Sequence, residues 1–81
     1  MKTTFRAYVQ GEVIMITWND NFTMKKNING KIVTVGQQDF DNMTILIKEE
    51  NGNVISCPMG FDNDGDCYFI YDSTQVYIRE V

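Results

Sequence analysis

The chain has 81 residues, 43% hydrophobic and 22% charged, which is enough for one domain with a single core and too little for two. A net charge of −4 argues against broad binding to nucleic-acid phosphates, which needs a basic surface, although Lys25, Lys26 and Lys31 lie close together in sequence. No apolar run approaches the roughly 20 residues of a membrane span, and the first twelve residues lack the apolar segment of a signal peptide.

A cytoplasmic location is therefore the expectation, with Cys57 and Cys67 as free thiols. Residues 3–9 alternate Phe5, Ala7 and Val9 with Thr4, Arg6 and Tyr8, the period of a strand with one mostly apolar face. Gln10-Gly11 interrupts it, as a bulge or a short turn. Residues 12–18 read as a second strand. Its two faces, Val13, Met15, Thr17 and Ile14, Ile16, Trp18, are both apolar, which predicts a central position in a sheet.

Residues 19–29 are polar and rich in Asn, and Phe22 and Met24 are two apart, which is not helical spacing. They predict a long loop with room for one helical turn. Either Phe22, Met24 and Ile28 pin it to the core or it carries function. Asn29-Gly30 tolerates positive φ and opens the clearest strand, residues 31–35, closed by Gly36. Apolar and β-branched residues on both of its faces predict a central strand.

Residues 37–42 are a polar loop and 42–49 another strand. A two-residue turn at Asn51-Gly52 would pair Ile47 with Ser56. A type I turn with Gly52 in a left-handed bulge pairs Ile47 with Ile55 and Ile45 with Cys57, which puts four apolar residues on one face. Register follows the apolar pattern, so the bulged hairpin is predicted. By the same argument Gly65 in the 62–66 turn pairs Phe61 with Cys67, Met59 with Phe69 and Cys57 with Tyr71. The two cysteines then lie roughly 13 Å apart on neighbouring strands, too far for a disulfide. Pro58 lacks a ladder donor and marks a strand end or edge. Residues 67–71 are a strand, 72–75 a turn with room for a single helical turn, and 76–81 the last strand.

Six or so short strands, regular turn signals and no long helix predict an all-β domain. At this length a small barrel covers the sheet edges. The order fits an SH3-like barrel of five to six antiparallel strands, with 19–29 as its long first loop and 72–75 as its final short helical turn. An OB-like barrel is the alternative, and it would want a helix between its third and fourth strands. The run of Trp18, Phe22, Met24-Lys25 and Gly30-Lys31-Ile32-Val33-Thr34-Val35, closed by Glu80-Val81, resembles small SH3-like accessory proteins of bacteriophages and prophages. This chain differs from that pattern in an extra N-terminal strand and few surface Trp residues. The resemblance implies a phage accessory setting and carries over no site residue.

Asp62, Asp64 and Asp66 alternate as in a calcium loop, but the sixth and twelfth positions hold Cys67 and Ser73 where Gly and Glu belong. An acidic hairpin turn is the expectation, with no metal and no cofactor. There is no His to act as a base, and Cys57 has no base beside it in sequence. The carboxylate pairs Asp39 with Asp41 and Glu49 with Glu50 fall in turns, where solvent screens them. No catalytic residue is assigned, and the chain is not expected to be an enzyme.

The aromatics exceed what a small barrel buries. Tyr68 and Tyr77, on faces opposite Phe69, Val76 and Ile78, are expected to be exposed, and Tyr is favoured at protein contacts. By analogy with the proteins it resembles, the chain reads as a non-catalytic module that binds and modulates a bacterial host protein, such as a defence component. Tyr68, Tyr77, Phe22, Asp62, Asp64 and Asp66 would form the contact. The alternative is a small nucleic-acid-binding barrel, with Lys25, Lys26 and Lys31 on phosphates and Phe22 stacking on a base. Oligomeric state is open, since an exposed 3–9 edge would pair with a second copy.

Overall fold

The computed structural model describes residues 2–9 and 11–79. The regular elements among them are all strands: β1 (Lys2–Val9), β2 (Glu12–Asn19), β3 (Lys25–Ile28), β4 (Lys31–Asp39), β5 (Thr44–Glu49), β6 (Val54–Phe61), β7 (Cys67–Tyr71) and β8 (Thr74–Tyr77). From β3 to β8 each strand pairs antiparallel with the next. These six strands curl into a nearly closed barrel, the all-β architecture expected, of SH3-like or OB-like kind.

The turns explain the registers. Gly52 (φ 90) and Gly65 (φ 84) take the left-handed positions of the two bulged hairpins. They set Ile47 opposite Ile55, Ile45 opposite Cys57, Met59 opposite Phe69 and Phe61 opposite Cys67, as predicted. One face of the meander then buries Ile28, Val33, Val35, Ile45, Ile47, Cys57, Met59, Phe69 and Tyr71. The expected Cys57–Tyr71 pair is absent from the β6–β7 ladder. Asp62 donates its N–H to the Asp66 carbonyl at 3.0 Å, so hydrogen-bonded pairs recur every second residue from there. The third such pair would need the N–H that Pro58 lacks, and pairing stops at Met59. Both cysteines are free.

A second, smaller cluster lies on the opposite face. Leu46 alternates with core-facing Ile45 and Ile47, and it packs with fully buried Trp18 and Val54. The β1–β2 hairpin brings Trp18 there, docked by a short parallel pairing of Ala7 with Val54 and Tyr8 with Ile55. Trp18 sits directly on Gly36. A Cβ at position 36 would lie 2.5 Å from Trp18 Cη2.

Several expectations change. Residues 25–28 are a strand, not loop, because Asn29-Gly30 is the tight turn of a β3–β4 hairpin that pairs Lys25 with Thr34. β4 does not end at Gly36 but continues to Asp39. Register shifts between Val35–Ile47 and Gln38–Ile45, so Gly36 and Gln37 form a bulge opposite Leu46. β2 is not central: it ends the order of strands beside β1, with Val13 51% and Met15 63% exposed. β1 is an inner strand, paired with β2 along one edge over its whole length and with β6 along the other at Ala7 and Tyr8. Residues 72–75 hold no helical turn. Asp72 (φ 52) and Ser73 (φ 61) form a two-residue hairpin turn, and β8 begins at Thr74. Gln10, Glu80 and Val81, and the side-chain faces assigned to residues 5–9, 14 and 16, lie outside the described residues.

Candidate interaction surface

The 62–66 turn joining β6 to β7 is held by one side chain. Asp62 Oδ1 accepts the backbone N–H groups of Asp64 and Asp66, both at 2.9 Å, and Oδ2 accepts the Tyr77 hydroxyl at 2.9 Å. Tyr77 on β8 faces Tyr68 on β7, and their rings meet edge to face at 6.1 Å. Tyr68 lies over Gly60: a Cβ there would be 2.8 Å from its hydroxyl. Arg79 completes the group, 3.3 Å from Asp66 Oδ2 and 5.8 Å from the Tyr77 ring centre.

Tyr68, Tyr77, Asp62 and Asp66 thus come together, with Asp64 exposed at the tip. The tyrosines are half-buried, not exposed as expected, because one covers Gly60 and the other is tied to Asp62. The Asp66 N–H and the Tyr77 hydroxyl hold the Asp62 carboxyl below its usual range, and that same bond raises the Tyr77 phenol. The three carboxylates can place an oxygen each within 4.8 Å of one another. The turn's own N–H groups, Tyr77 and Arg79 already engage two of them.

A second feature was not foreseen. Phe40 (58% exposed) and Phe61 (48%) stack with ring centres 6.3 Å apart and planes 12° from parallel. Phe61 ends β6. Phe40 opens the 40–43 turn between β4 and β5, where Asp39 Oδ1 accepts the N–H groups of Asp41 (3.1 Å) and Asn42 (3.2 Å). The Asn42 amide donates to Asp39 Oδ2 at 2.9 Å, and these bonds lower the Asp39 pKa. The Met59 N–H, donated to the Met43 carbonyl at 2.9 Å, ties the turn to β6. The two rings are 21 positions apart in sequence, so no local periodicity announces the pair.

Phe22 belongs elsewhere. It packs edge-on against Trp18 at 6.4 Å, beside a groove of about 330 Å³ that Met24, Val35, Ile45 and Ile78 also line. The lysines do not gather. Lys25 and Lys26 are neighbours on β3 and so point to opposite faces. Lys26 Nζ donates to the Arg79 carbonyl at 3.0 Å, and Lys31 pairs with Asp72 at 3.1 Å. Asn29 Nδ2 reaches Thr74 Oγ1 at 3.0 Å. These three contacts bridge the seam between β3 and β8, where no ladder runs among the described residues.

Inside the barrel the Tyr71 hydroxyl donates to Glu49. Burial, and then that bond, push the Tyr71 pKa from 10.0 to about 12. Burial, and then the Glu49 charge, push Cys57 from 9.0 to about 12. Cys57 is therefore protonated near neutral pH and offers no thiolate nucleophile. Both folded-state values are raised, so the stabilisation is complete below the unfolded values and is lost as pH climbs through the folded ones. Thermal melts should be flat from about pH 6 to about pH 9 and fall between about 9 and 12, by a few kcal/mol in all. Cys57→Ala with Tyr71→Phe should flatten that decline; an unchanged slope would place its origin elsewhere.

No protein-family model, curated protein or solved structure matches this chain, so what bears on its function is the pair of surfaces at the 40–43 and 62–66 turns.

Proposed function

We propose that the chain is a non-catalytic protein-interaction module that docks through the aromatic and acidic groups around the 62–66 turn. The observation that carries this reading is the Tyr68–Tyr77–Asp62 constellation. Both rings are held by the fold before any contact is made, so docking on them costs little rotamer entropy. Tyrosines with one accessible edge and a polar tip are favoured contact residues. The finer reading is a phage- or mobile-element-encoded protein that binds and modulates a bacterial host protein, such as a defence component, in the host cytoplasm. It draws its support from the resemblance at Trp18, Phe22 and residues 30–35 together with the acidic turns.

The test is affinity capture by the tagged chain from nuclease-treated bacterial lysate, read by mass spectrometry. One protein retained near stoichiometric yield is expected. Tyr68→Ala with Tyr77→Ala should cut that yield at least about tenfold while circular dichroism shows the barrel intact. Wild-type yield from the double variant would remove this surface from the proposal. An empty capture would overturn the interaction reading. Material retained only when nuclease is omitted would move the function to nucleic acid and to Lys25, Lys26 and Lys31.

A further inference from the structure

We infer that the Phe40–Phe61 stack is the anchor of a docking surface for a basic protein partner, one presenting an apolar side chain flanked by Lys or Arg. The inference rests on the interaction-module reading and adds the partner's chemistry. Single exposed apolar residues are ordinary, but two stacked rings, each about half exposed and with Met43 in the same turn, form a patch. The patch is built rather than loose. Asp39 fixes the 40–43 turn through three hydrogen bonds, and Asp62 fixes the turn that follows Phe61. Rings held in place before contact are what an anchor requires.

Charge selects the occupant. Phe40 lies between Asp39 and Asp41, and Phe61 is followed by Asp62, with Asp64 and Asp66 beyond. From Lys31 to Arg79 the chain carries eight carboxylates and three basic residues, of which Lys31 is paired with Asp72 and Arg79 with Asp66. Lys48 lies 4.8 Å over the Trp18 ring, on the other cluster. Asp39, Asp41 and Asp62 adjoin the two rings in sequence, so a surface approaching the rings enters their field. A second copy of this chain would bring like charges together. Nucleic acid and anionic lipid are repelled for the same reason. A protein segment that sets Lys or Arg around one apolar residue satisfies both the rings and the rim.

The experiment titrates the full isotope-labelled chain, by two-dimensional NMR, with three synthetic peptides of equal length. One has a central Leu flanked by Lys and Arg, one the same Leu flanked by Glu, and one the same basic flanks around Ser. Only the first should move the amides of residues 40–43 and 61, with an affinity that falls as salt is raised. Phe40→Ser with Phe61→Ser should weaken it at least about tenfold. Equal response to the Glu-flanked peptide, no response at these amides, or unchanged affinity in the double variant would overturn the inference. The same variant in lysate capture separates the two proposals. If wild type and variant retain the same protein equally, the interaction reading stands and this anchor falls. If wild type retains none, the interaction reading itself falls.

Discussion

Gly36→Ala is expected to destabilise the protein by about 3 kcal/mol, the upper end of what overpacking a tight site costs. The new methyl would lie 2.5 Å from Trp18 Cη2, 2.6 Å from Cζ3 and 2.9 Å from the Leu46 carbonyl oxygen. The ring is fully buried, and on the other side the obstacle is backbone. Relief requires the β1–β2 hairpin to lift off the barrel. Trp18 is the only tryptophan, so its fluorescence reports the event directly. A red-shifted emission and a lower urea midpoint are expected. Wild-type emission with an unchanged midpoint would show that the indole does not rest on position 36.

Phe69→Ala strikes the other cluster and is expected to cost about 3–5 kcal/mol, the usual range for truncating a buried Phe. Phe69 is fully buried on β7 opposite Met59. A domain of this length has roughly 4–12 kcal/mol of total stability, so the variant should be partly unfolded at room temperature. Phe69→Leu keeps most of the volume and should cost no more than about 1.5 kcal/mol, which keeps the argument testable if the alanine variant cannot be purified. Following circular dichroism and Trp18 fluorescence together adds a second result. Coincident transitions mean that the two clusters unfold as one unit, whereas a separate fluorescence transition means that the β1–β2 hairpin detaches alone.

Much of the barrel was legible because its pairing is local. The hairpin at Gly52 offered two registers, and the positions of Ile45, Ile47, Ile55 and Cys57 left only one that buries an apolar face; the same argument set the hairpin at Gly65. β3 was missed because its sequence, Lys25-Lys26-Asn27-Ile28, carries one apolar residue and no alternation. The signal lay next to it: an Asn-Gly turn needs a strand on both sides. β2 misled for the opposite reason. Apolar residues on both faces suggested a central strand, yet β2 ends the strand order, with Val13 and Met15 exposed.

The candidate surface divides in the same way. That Tyr68 and Tyr77 share a face follows from alternation along two adjacent strands. That Asp62 reaches Tyr77, or that Phe40 finds Phe61, depends on how separate turns meet in space, which no single segment encodes.

The seam between β3 and β8 has a kinetic meaning. Every neighbouring pair in the meander is also a neighbour in sequence, so each hairpin can form by closing a short loop, and the barrel should fold quickly for an all-β protein. The seam joins the two ends of the meander, and among the described residues it carries side-chain contacts from Lys26, Asn29 and Lys31 and no backbone ladder. It is therefore the last part to zip and the first to open. Native-state hydrogen exchange should find the edge amides of β3 and β8 trading with solvent through this local opening, while those of β5 and β6 wait for global unfolding.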